Sequence, residues 1–200
     1  MKKIPSLFKR DYAGTRQVYD EVVEGCEWVQ AGEGIPTEKI DGTCCLIQDG
    51  KLFKRYDAKK GRIPPTGFIP TGEPDEVTGH CPGWLPVGFG PEDQWHREAF
   101  NELAKISPDH IDVGGTFELI GPKVQGNPYR LDQHILAVHG ENWLDPDELG
   151  FPTDFQKVRA WLEARPLVEG IVWEHRSKVG VFAKIKRKDF GFPWPPKETP

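Results

Sequence analysis

Lys39 is the residue whose setting most strongly suggests covalent chemistry. It lies in the segment 38–42, which reads Glu-Lys-Ile-Asp-Gly, just before a tight Asp-Gly turn where the backbone can approach a ligand closely. A lysine amine forms a phosphoramidate with a nucleotide only when a depressed pKa or a nearby cation keeps it deprotonated long enough to attack. Glu38 and Asp41 could read a base and hold the water shell of a metal ion. For this segment alone, a surface turn is the alternative interpretation.

Four later side chains supply groups that adenylyl transfer would need. Glu118 and Glu169 lie in or beside short apolar strands, where an unpaired carboxylate is costly to bury, so a ribose hydroxyl or hydrated Mg²⁺ would satisfy them. Lys184 and Lys186 alternate on one predicted strand and therefore face the same side, toward the α-phosphate. Metal ions and lysines commonly stabilise the charge of a transferred phosphoryl group. The alternative for Glu118 and for Glu169 is a salt bridge in the core. The alternative for Lys184 and Lys186 is a solvated basic strand.

The composition narrows the possible fold classes and the expected cellular compartment. The 200 residues suffice for one well-buried domain, and 22 Gly with 19 Pro indicate many turns between short elements, which favours a strand-rich α+β chain. No apolar run suits a signal peptide or a membrane span, so we expect a cytoplasmic protein. The four cysteines have no CxxC spacing, and the sequence therefore indicates neither a zinc site nor a disulfide framework.

The charge distribution is more informative than the net charge of −5. Residues 51–62 carry six basic side chains against one acidic, and residues 176–188 carry six basic and no acidic side chains. Clustered Lys and Arg bind phosphate backbones, whereas a solvated face is the alternative interpretation.

The patterning predicts short elements in a definite order. The Asp-Gly pair at 49–50 is typical of a turn between a strand at 37–47 and a second strand at 52–56. This pattern predicts a hairpin. Residues 61–91, rich in Pro and Gly, are predicted as a surface loop or insertion anchored by Trp84 and Phe89. The remaining predictions are a helix at 91–106, strands at 116–120 and 134–139, a helix at 154–165 capped by Thr153, a hairpin of 171–174 with 179–186, and a tail at 191–200.

Five segments in order resemble motifs I, Ia, III, IV and V of the covalent nucleotidyltransferases. These segments are residues 39–42, 54–55, 117–121, 169–172 and 184–186. That superfamily comprises DNA ligases, RNA ligases and mRNA capping enzymes. The contexts at 35–45 and 118–129 closely resemble the vertebrate RNA ligase 1 family, which is ATP-dependent.

The resemblance implies a fold and an activity. The implied fold is a single α+β adenylyltransferase domain over 1–190, with central antiparallel sheets flanked by helices and no C-terminal OB domain, since 14 residues follow Lys186. The implied protein is a monomeric ATP-dependent RNA ligase that joins RNA 5′-phosphate and 3′-hydroxyl ends through lysyl-AMP and RNA-adenylate, with Mg²⁺ or Mn²⁺. The alternatives are a non-catalytic nucleotide- or RNA-binding module on the same scaffold, a DNA ligase or a capping guanylyltransferase.

The resemblance also implies roles for individual residues. It implies Lys39 as the nucleophile that accepts AMP and Glu38 as a contact to the adenine amino group. The further ATP-binding residues are Ile40, Cys44, Arg55, Glu118, Val138, Val172, Lys184 and Lys186. The metal residues, acting through waters, are Asp41, Glu118 and Glu169. The RNA-binding residues are Lys54, Arg55, Lys59 and Lys60.

Two positions depart from the pattern of phage-type nick-sealing RNA ligases. Val138 falls where those ligases place an aromatic side chain that stacks on adenine, so Val138 and Val172 are expected as aliphatic faces, with His139 as the substitute. Cys44 stands where those ligases have Asn.

Overall fold

The computed structural model describes residues 4–144 and 150–196. Its strands are β1 Phe8–Arg10, β2 Val18–Val22, β3 Gly34–Lys39, β4 Thr43–Gln48, β5 Lys51–Ala58, β6 Ile69–Pro70, β7 Cys81–Pro86, β8 Gly115–Ile120, β9 Ile135–Val138, β10 Gly170–His175 and β11 Phe182–Lys186. Its α-helices are α1 Glu27–Gln30, α2 Gln94–Ile106, α3 Pro108–Val113 and α4 Phe155–Glu163. Short 3-10 helices span Pro91–Asp93 and Arg187–Phe190.

The chain forms two compact units, and it passes from one to the other between Ile40 and Asp41. We call residues 41–139 the six-stranded unit, after its sheet. Residues 4–40, together with the described part of 140–200, form the three-stranded unit. The prediction of a single domain over 1–190 stays a prediction.

The six-stranded unit is built on an antiparallel sheet in the order β6-β7-β5-β4-β8-β9. The predicted hairpin of β4 and β5 is confirmed, with Asp49 and Gly50 both at positive φ in its turn. Cys45 and Ile47 alternate inward on β4, while Ala99 and Leu103 of α2 are buried in the same core. The predicted helix at 91–106 is confirmed as a 3-10 turn followed by α2.

The three-stranded unit is built on an antiparallel sheet in the order β11-β10-β3, and β1 pairs with β2 in a separate ribbon. The predicted terminal hairpin is confirmed by the pairing of β10 with β11. Ile171 and Trp173 on β10 alternate inward into a core that also contains Leu162 of α4. Because side chains alternate along a strand, the residues next to these two face the opposite side of the sheet, where polar side chains lie.

The strand predicted at 37–47 is two strands. β3 ends at Lys39 and β4 begins at Thr43, and the two belong to different sheets. The break has a steric cause at Gly42, where a Cβ would overlap the Leu119 carbonyl oxygen. Only glycine therefore allows this close approach of the turn to β8.

The prediction of a surface loop or insertion at 61–91 is also wrong in part, because the segment contains strands of the main sheet. β6 and β7 lie in this segment, and β7 pairs with β5 over six residue pairs. Trp84 is buried as an anchor, but Phe89 is 96% exposed, so the prediction that Phe89 is an anchor is wrong. The N-cap of α4 is Asp154 rather than the predicted Thr153. The Asp154 side chain accepts the Lys157 N–H at 2.9 Å.

The fold class is confirmed at the level of an α+β chain with antiparallel sheets and few helices. The predicted tail begins with packed residues: Trp194 is buried, and Arg187 donates a hydrogen bond to the Pro193 carbonyl at 3.3 Å. Residues 197–200 of the tail lie outside the described residues. Across residues 4–144 and 150–196, every helix is too short or too polar to cross a membrane.

Candidate functional site

Lys39 forms an ion pair with Glu169 in the three-stranded unit. Lys39 is the last residue of β3, and Glu169 comes directly before β10. The distance from Lys39 Nζ to Glu169 Oε2 is 2.6 Å, and the two side chains are 21% and 8% exposed. Two residues that lie in separate sequence motifs are therefore in direct contact, and the Lys39 side chain remains partly exposed.

Gly170 forms the middle of a row across this sheet. The register pairs Gly170 with Lys39 on one neighbouring strand and with Lys186 on the other. A Cβ at Gly170 would overlap the Ile185 carbonyl oxygen, so the strand spacing requires glycine. As a result, no side chain stands between Lys39 and Lys186 within this row.

Lys184 lies on the same pleat as Lys186, as predicted from their alternation. Burial lowers the pKa of Lys184, and the positive charges of Lys39 and Lys186 lower it further. The backbone at Lys184 is fixed on both sides, since its N–H donates to the Pro5 carbonyl at 3.0 Å and its carbonyl accepts the Leu7 N–H at 2.7 Å. These three lysines thus form a cationic cluster, and a bound anion would relieve their mutual repulsion.

Val172 occupies the next row on this face, between Thr37 and Lys184. The Thr37 hydroxyl donates to the Val172 carbonyl oxygen at 3.2 Å. Val172 is partly exposed and presents an aliphatic side chain beside the lysine cluster. The placement is compatible with the aliphatic base contact expected for it.

Glu38 and Ile40 flank Lys39 in the sequence. Burial raises the pKa of Glu38, and the negative charge of Glu169 raises it further. The Glu38 backbone N–H donates to the Asn142 carbonyl at 2.8 Å. Ile40 is buried, and its carbonyl oxygen lies 3.4 Å from Lys39 Nζ.

Glu118 is the centre of a second group of polar side chains, in the six-stranded unit. Its Oε1 accepts the Gly42 N–H at 3.0 Å, and its Oε2 lies 2.9 Å from His139 Nε2. Cys44 is its register partner on β4, and one ligand atom from each of Cys44, Glu118 and His139 lies within 4.8 Å of the others. The cluster is thus drawn from three adjacent strands or their ends.

Arg55 belongs to the same face of this sheet. Because Cys45 pairs with Lys54, the alternation of side chains places Arg55 with Cys44 and away from the core. The Arg55 guanidinium carbon lies 5.5 Å from the centroid of the Trp84 ring. This cation–π contact orients the charge without removing it.

The Asp41-Gly42 turn is held by the loop at 121–130. The Asp41 N–H donates to the Tyr129 hydroxyl at 2.6 Å, and Gln125 Nε2 donates to the Gly42 carbonyl at 3.3 Å. Gln125 and Tyr129 lie in the segment 118–129 that carries the resemblance, but neither was predicted to have a role. In the sequence, these two polar side chains flank a Gly-Asn-Pro turn, and this was the signal that could have indicated the contact.

Val138 does not lie with Glu118, which corrects its expected role. It pairs with Phe117 and packs against the core of the six-stranded unit. His139, one residue later, returns to the face of Glu118 and makes the contact described above. The shift follows from the two-residue period of a strand, by which a displacement of one residue exchanges the two faces.

The four residues expected to bind RNA fall into different settings. The prediction that Lys54 binds RNA is corrected by the structure. The Lys54 ammonium pairs with the buried Asp93 carboxylate on the core side of the sheet, which is a structural role. Lys59 and Lys60 are exposed after β5, while Arg55 has the contact with Trp84. Exposed charges of this kind can bind a phosphate backbone.

The chain is similar in sequence to a family of known proteins. Residues 103–200 match the family described as RNA ligase 1. The chain is 29% identical to RNA ligase 1 of Pongo abelii over 82% of this chain and 70% of that protein. It is 28% identical to RNA ligase 1 of Mus musculus and 29% identical to that of Danio rerio, in each case over 82% of this chain and 69% of the relative.

Proposed function

Because the chain is RNA ligase 1-like in sequence, we propose that it is an ATP-dependent RNA ligase. It joins RNA 5′-phosphate and 3′-hydroxyl ends through lysyl-AMP and RNA-adenylate, on a covalent nucleotidyltransferase fold. The observation that carries this proposal is the Lys39–Glu169 ion pair on the same sheet as Lys184 and Lys186. This arrangement offers one nucleophile, one carboxylate and two further cations.

In the first step Lys39 Nζ attacks the α-phosphorus of ATP. The N–P bond forms, the bond from the α-phosphorus to the bridging oxygen breaks, and pyrophosphate leaves. The ammonium must first lose its proton, which passes to solvent or to the Glu169 carboxylate at 2.6 Å. Once the ion pair is broken in this way, the amine is free to attack.

Lys184 and Lys186 stabilise the charge that develops on the phosphate oxygens. Preformed cations are effective here because they need no reorganisation during the reaction. The lowered pKa of Lys184 reflects burial and the repulsion from Lys39 and Lys186. An anion bound at the cluster relieves that repulsion, so the positive charges of the three lysines favour the binding of ATP.

The divalent cation, Mg²⁺ or Mn²⁺, is proposed to bind at carboxylates through its waters. These ions prefer hard oxygen donors, and the proposed carboxylates are Glu169 in the three-stranded unit and Asp41 and Glu118 in the six-stranded unit. When bound, the ion would neutralise phosphate charge and polarise the phosphoryl group.

Two transfers complete the proposed reaction. A 5′-phosphate oxygen of RNA attacks the phosphorus of lysyl-AMP, the N–P bond breaks, and Lys39 is regenerated. The RNA 3′-hydroxyl oxygen then attacks the 5′-phosphorus, and AMP leaves with its phosphate oxygen. Arg55, Lys59 and Lys60 are proposed to contact the RNA phosphates.

Incubation with α-labelled ATP followed by a denaturing gel tests the first step. The wild type is expected to carry acid-labile label, and Lys39→Ala is expected to carry none. Lys157→Ala is the matched control, because Lys157 is an exposed lysine of α4 in the same unit. An unlabelled wild type, or full labelling of Lys39→Ala, would contradict the proposal.

The same assay separates the competing functions. A non-catalytic binding module would bind ATP and remain unlabelled. Label from α-labelled GTP in place of ATP would indicate a capping guanylyltransferase. Joining of DNA ends in preference to RNA ends would indicate a DNA ligase.

A further inference from the structure

Cys44, Glu118 and His139 together offer a set of metal-ligand atoms, in addition to the nucleotide contacts proposed for Cys44 and Glu118. One sulfur, one carboxylate oxygen and one imidazole nitrogen lie within 4.8 Å of one another. We propose that these three side chains form a binding site for Zn²⁺. The site escaped the sequence analysis because its donors come from three segments 21 or more residues apart.

The geometry needs only small side-chain adjustments. Tetrahedral zinc with bonds of about 2.0–2.3 Å holds its ligand atoms roughly 3.5 Å apart. His139 Nε2 and Glu118 Oε2 are already 2.9 Å apart, so the ion replaces a hydrogen bond between these two residues. Cys44 and Glu118 are held opposite each other by the register of β4 and β8.

The donor set selects zinc over magnesium. Thiolate and imidazole ligands suit Zn²⁺, whereas Mg²⁺ takes oxygen ligands in octahedral geometry. Binding releases the thiol proton of Cys44 to solvent. The thiolate and the carboxylate then balance the two charges of the ion, with His139 neutral.

The surrounding backbone supports the carboxylate. Glu118 Oε1 accepts the Gly42 N–H at 3.0 Å, which leaves Oε2 directed at His139. Such an outer hydrogen bond orients a metal ligand. Three protein ligands leave a fourth position for water or an exogenous ligand.

Direct titration of the full chain tests the site. Competition with a chromophoric zinc indicator is expected to show one tight site in the wild type. That site should be at least roughly tenfold weaker in Cys44→Ser and in His139→Ala, since each removes one of three ligands. Cys81→Ser is the matched control, a second partly exposed cysteine of the same unit, and it should bind as the wild type does.

Cobalt substitution gives an independent readout. Co²⁺ is expected to produce a thiolate-to-metal charge-transfer absorption that is lost in Cys44→Ser and kept in Cys81→Ser. Circular dichroism establishes that each variant is folded. The proposal is overturned if the wild type lacks a stoichiometric site, or if Cys44→Ser binds Zn²⁺ as tightly as the wild type.

A functional consequence rests on the proposed function. Because Cys44 and Glu118 are proposed ATP contacts, Zn²⁺ should slow lysyl-AMP formation, and a chelator should restore it. The ratio of rates with and without Zn²⁺ should lie closer to one in Cys44→Ser than in the wild type, and equal ratios contradict inhibition through this site. If no lysyl-AMP forms under any condition, the ligase proposal fails while the titration still decides the zinc site.

Discussion

The two units carry contrasting faces on sheets of the same antiparallel kind. The face of the three-stranded unit is a cluster of lysines with one carboxylate, and that of the six-stranded unit is a mixed set of donors around one carboxylate. The first set is Lys39, Lys184, Lys186 and Glu169, and the second is Arg55, Cys44, Glu118 and His139. The first suits phosphate charge, whereas the second suits hydroxyl groups or a soft cation.

The contrast shows in how each carboxylate is neutralised. Glu169 is paired with a full positive charge, at 2.6 Å from Lys39 Nζ. Glu118 is satisfied by a backbone N–H and an imidazole. A change at Glu169 therefore alters the charge that faces a nucleophile, whereas a change near Glu118 alters the shape and polarity of a recognition face.

The largest effect is expected from Glu169→Gln. The amide keeps the shape of the side chain but removes the charge that faces Lys39, and removal of one preorganised electrostatic group costs on the order of 100-fold in rate. The initial rate of lysyl-AMP labelling measures this loss. Glu163→Gln, at an exposed position of α4 in the same unit, should label at the wild-type rate. Equal rates for Glu169→Gln and wild type would remove Glu169 from the chemistry.

Gly42→Ala should destabilise the six-stranded unit. The new Cβ would overlap the Leu119 carbonyl oxygen, and such overpacking costs about 1–3 kcal/mol. Urea unfolding measures the loss. Gly72→Ala is the control, because a Cβ there meets nothing within 4 Å among the described residues and Gly72 is not at positive φ. Unchanged stability of Gly42→Ala would contradict the close approach of the turn to β8.

Charge reversal of Lys59 and Lys60 should separate RNA binding from adenylylation. The double variant is expected to bind RNA roughly tenfold more weakly at low salt, with a shallower salt dependence, because two phosphate contacts are lost. Lysyl-AMP formation should persist. Lys105→Glu, an exposed lysine of α2, serves as the control for general charge effects. Equal loss of both steps would refute the placement of RNA at this segment.

The smallest effect is a change in the titration of Lys184. Its pKa is lowered by burial and then by Lys39 and Lys186, so Lys186→Met should raise it toward the ordinary lysine value. Nuclear magnetic resonance of the lysine side chains measures the titration directly. Lys157→Met should leave it unchanged.

The same titration has a consequence for stability with a definite sign. Where a folded pKa is lowered, the unfolded chain binds more protons between the two values, so the free energy of unfolding rises with pH in that window. Lys186→Met should reduce this rise. No change in either the Lys184 titration or the stability profile would contradict the proximity of the lysines.

The sequence predicted most of the local structure near the proposed site. Alternation placed Lys184 and Lys186 on one pleat, and the Asp-Gly turn placed β4 against β5, because these patterns depend on neighbouring residues. The resemblance supplied Glu169, which the structure places against Lys39.

What the sequence missed depends on long-range pairing. The Lys54–Asp93 ion pair joins residues 39 apart, and β7 pairs with β5 through a segment without periodicity. His139 rather than Val138 faces Glu118 because strand register, offset by one residue, exchanges the two faces. Local pattern carries no information on which strands become neighbours.

The acceptance of AMP by Lys39 is tested most directly by mapping the adduct. The full chain is incubated with ATP and a divalent cation, digested, and analysed by mass spectrometry for peptides that carry AMP. The expected result is AMP on the peptide containing Lys39 and none on the peptides containing Lys184 or Lys186. AMP on another residue, or no adduct on any peptide, would contradict the account.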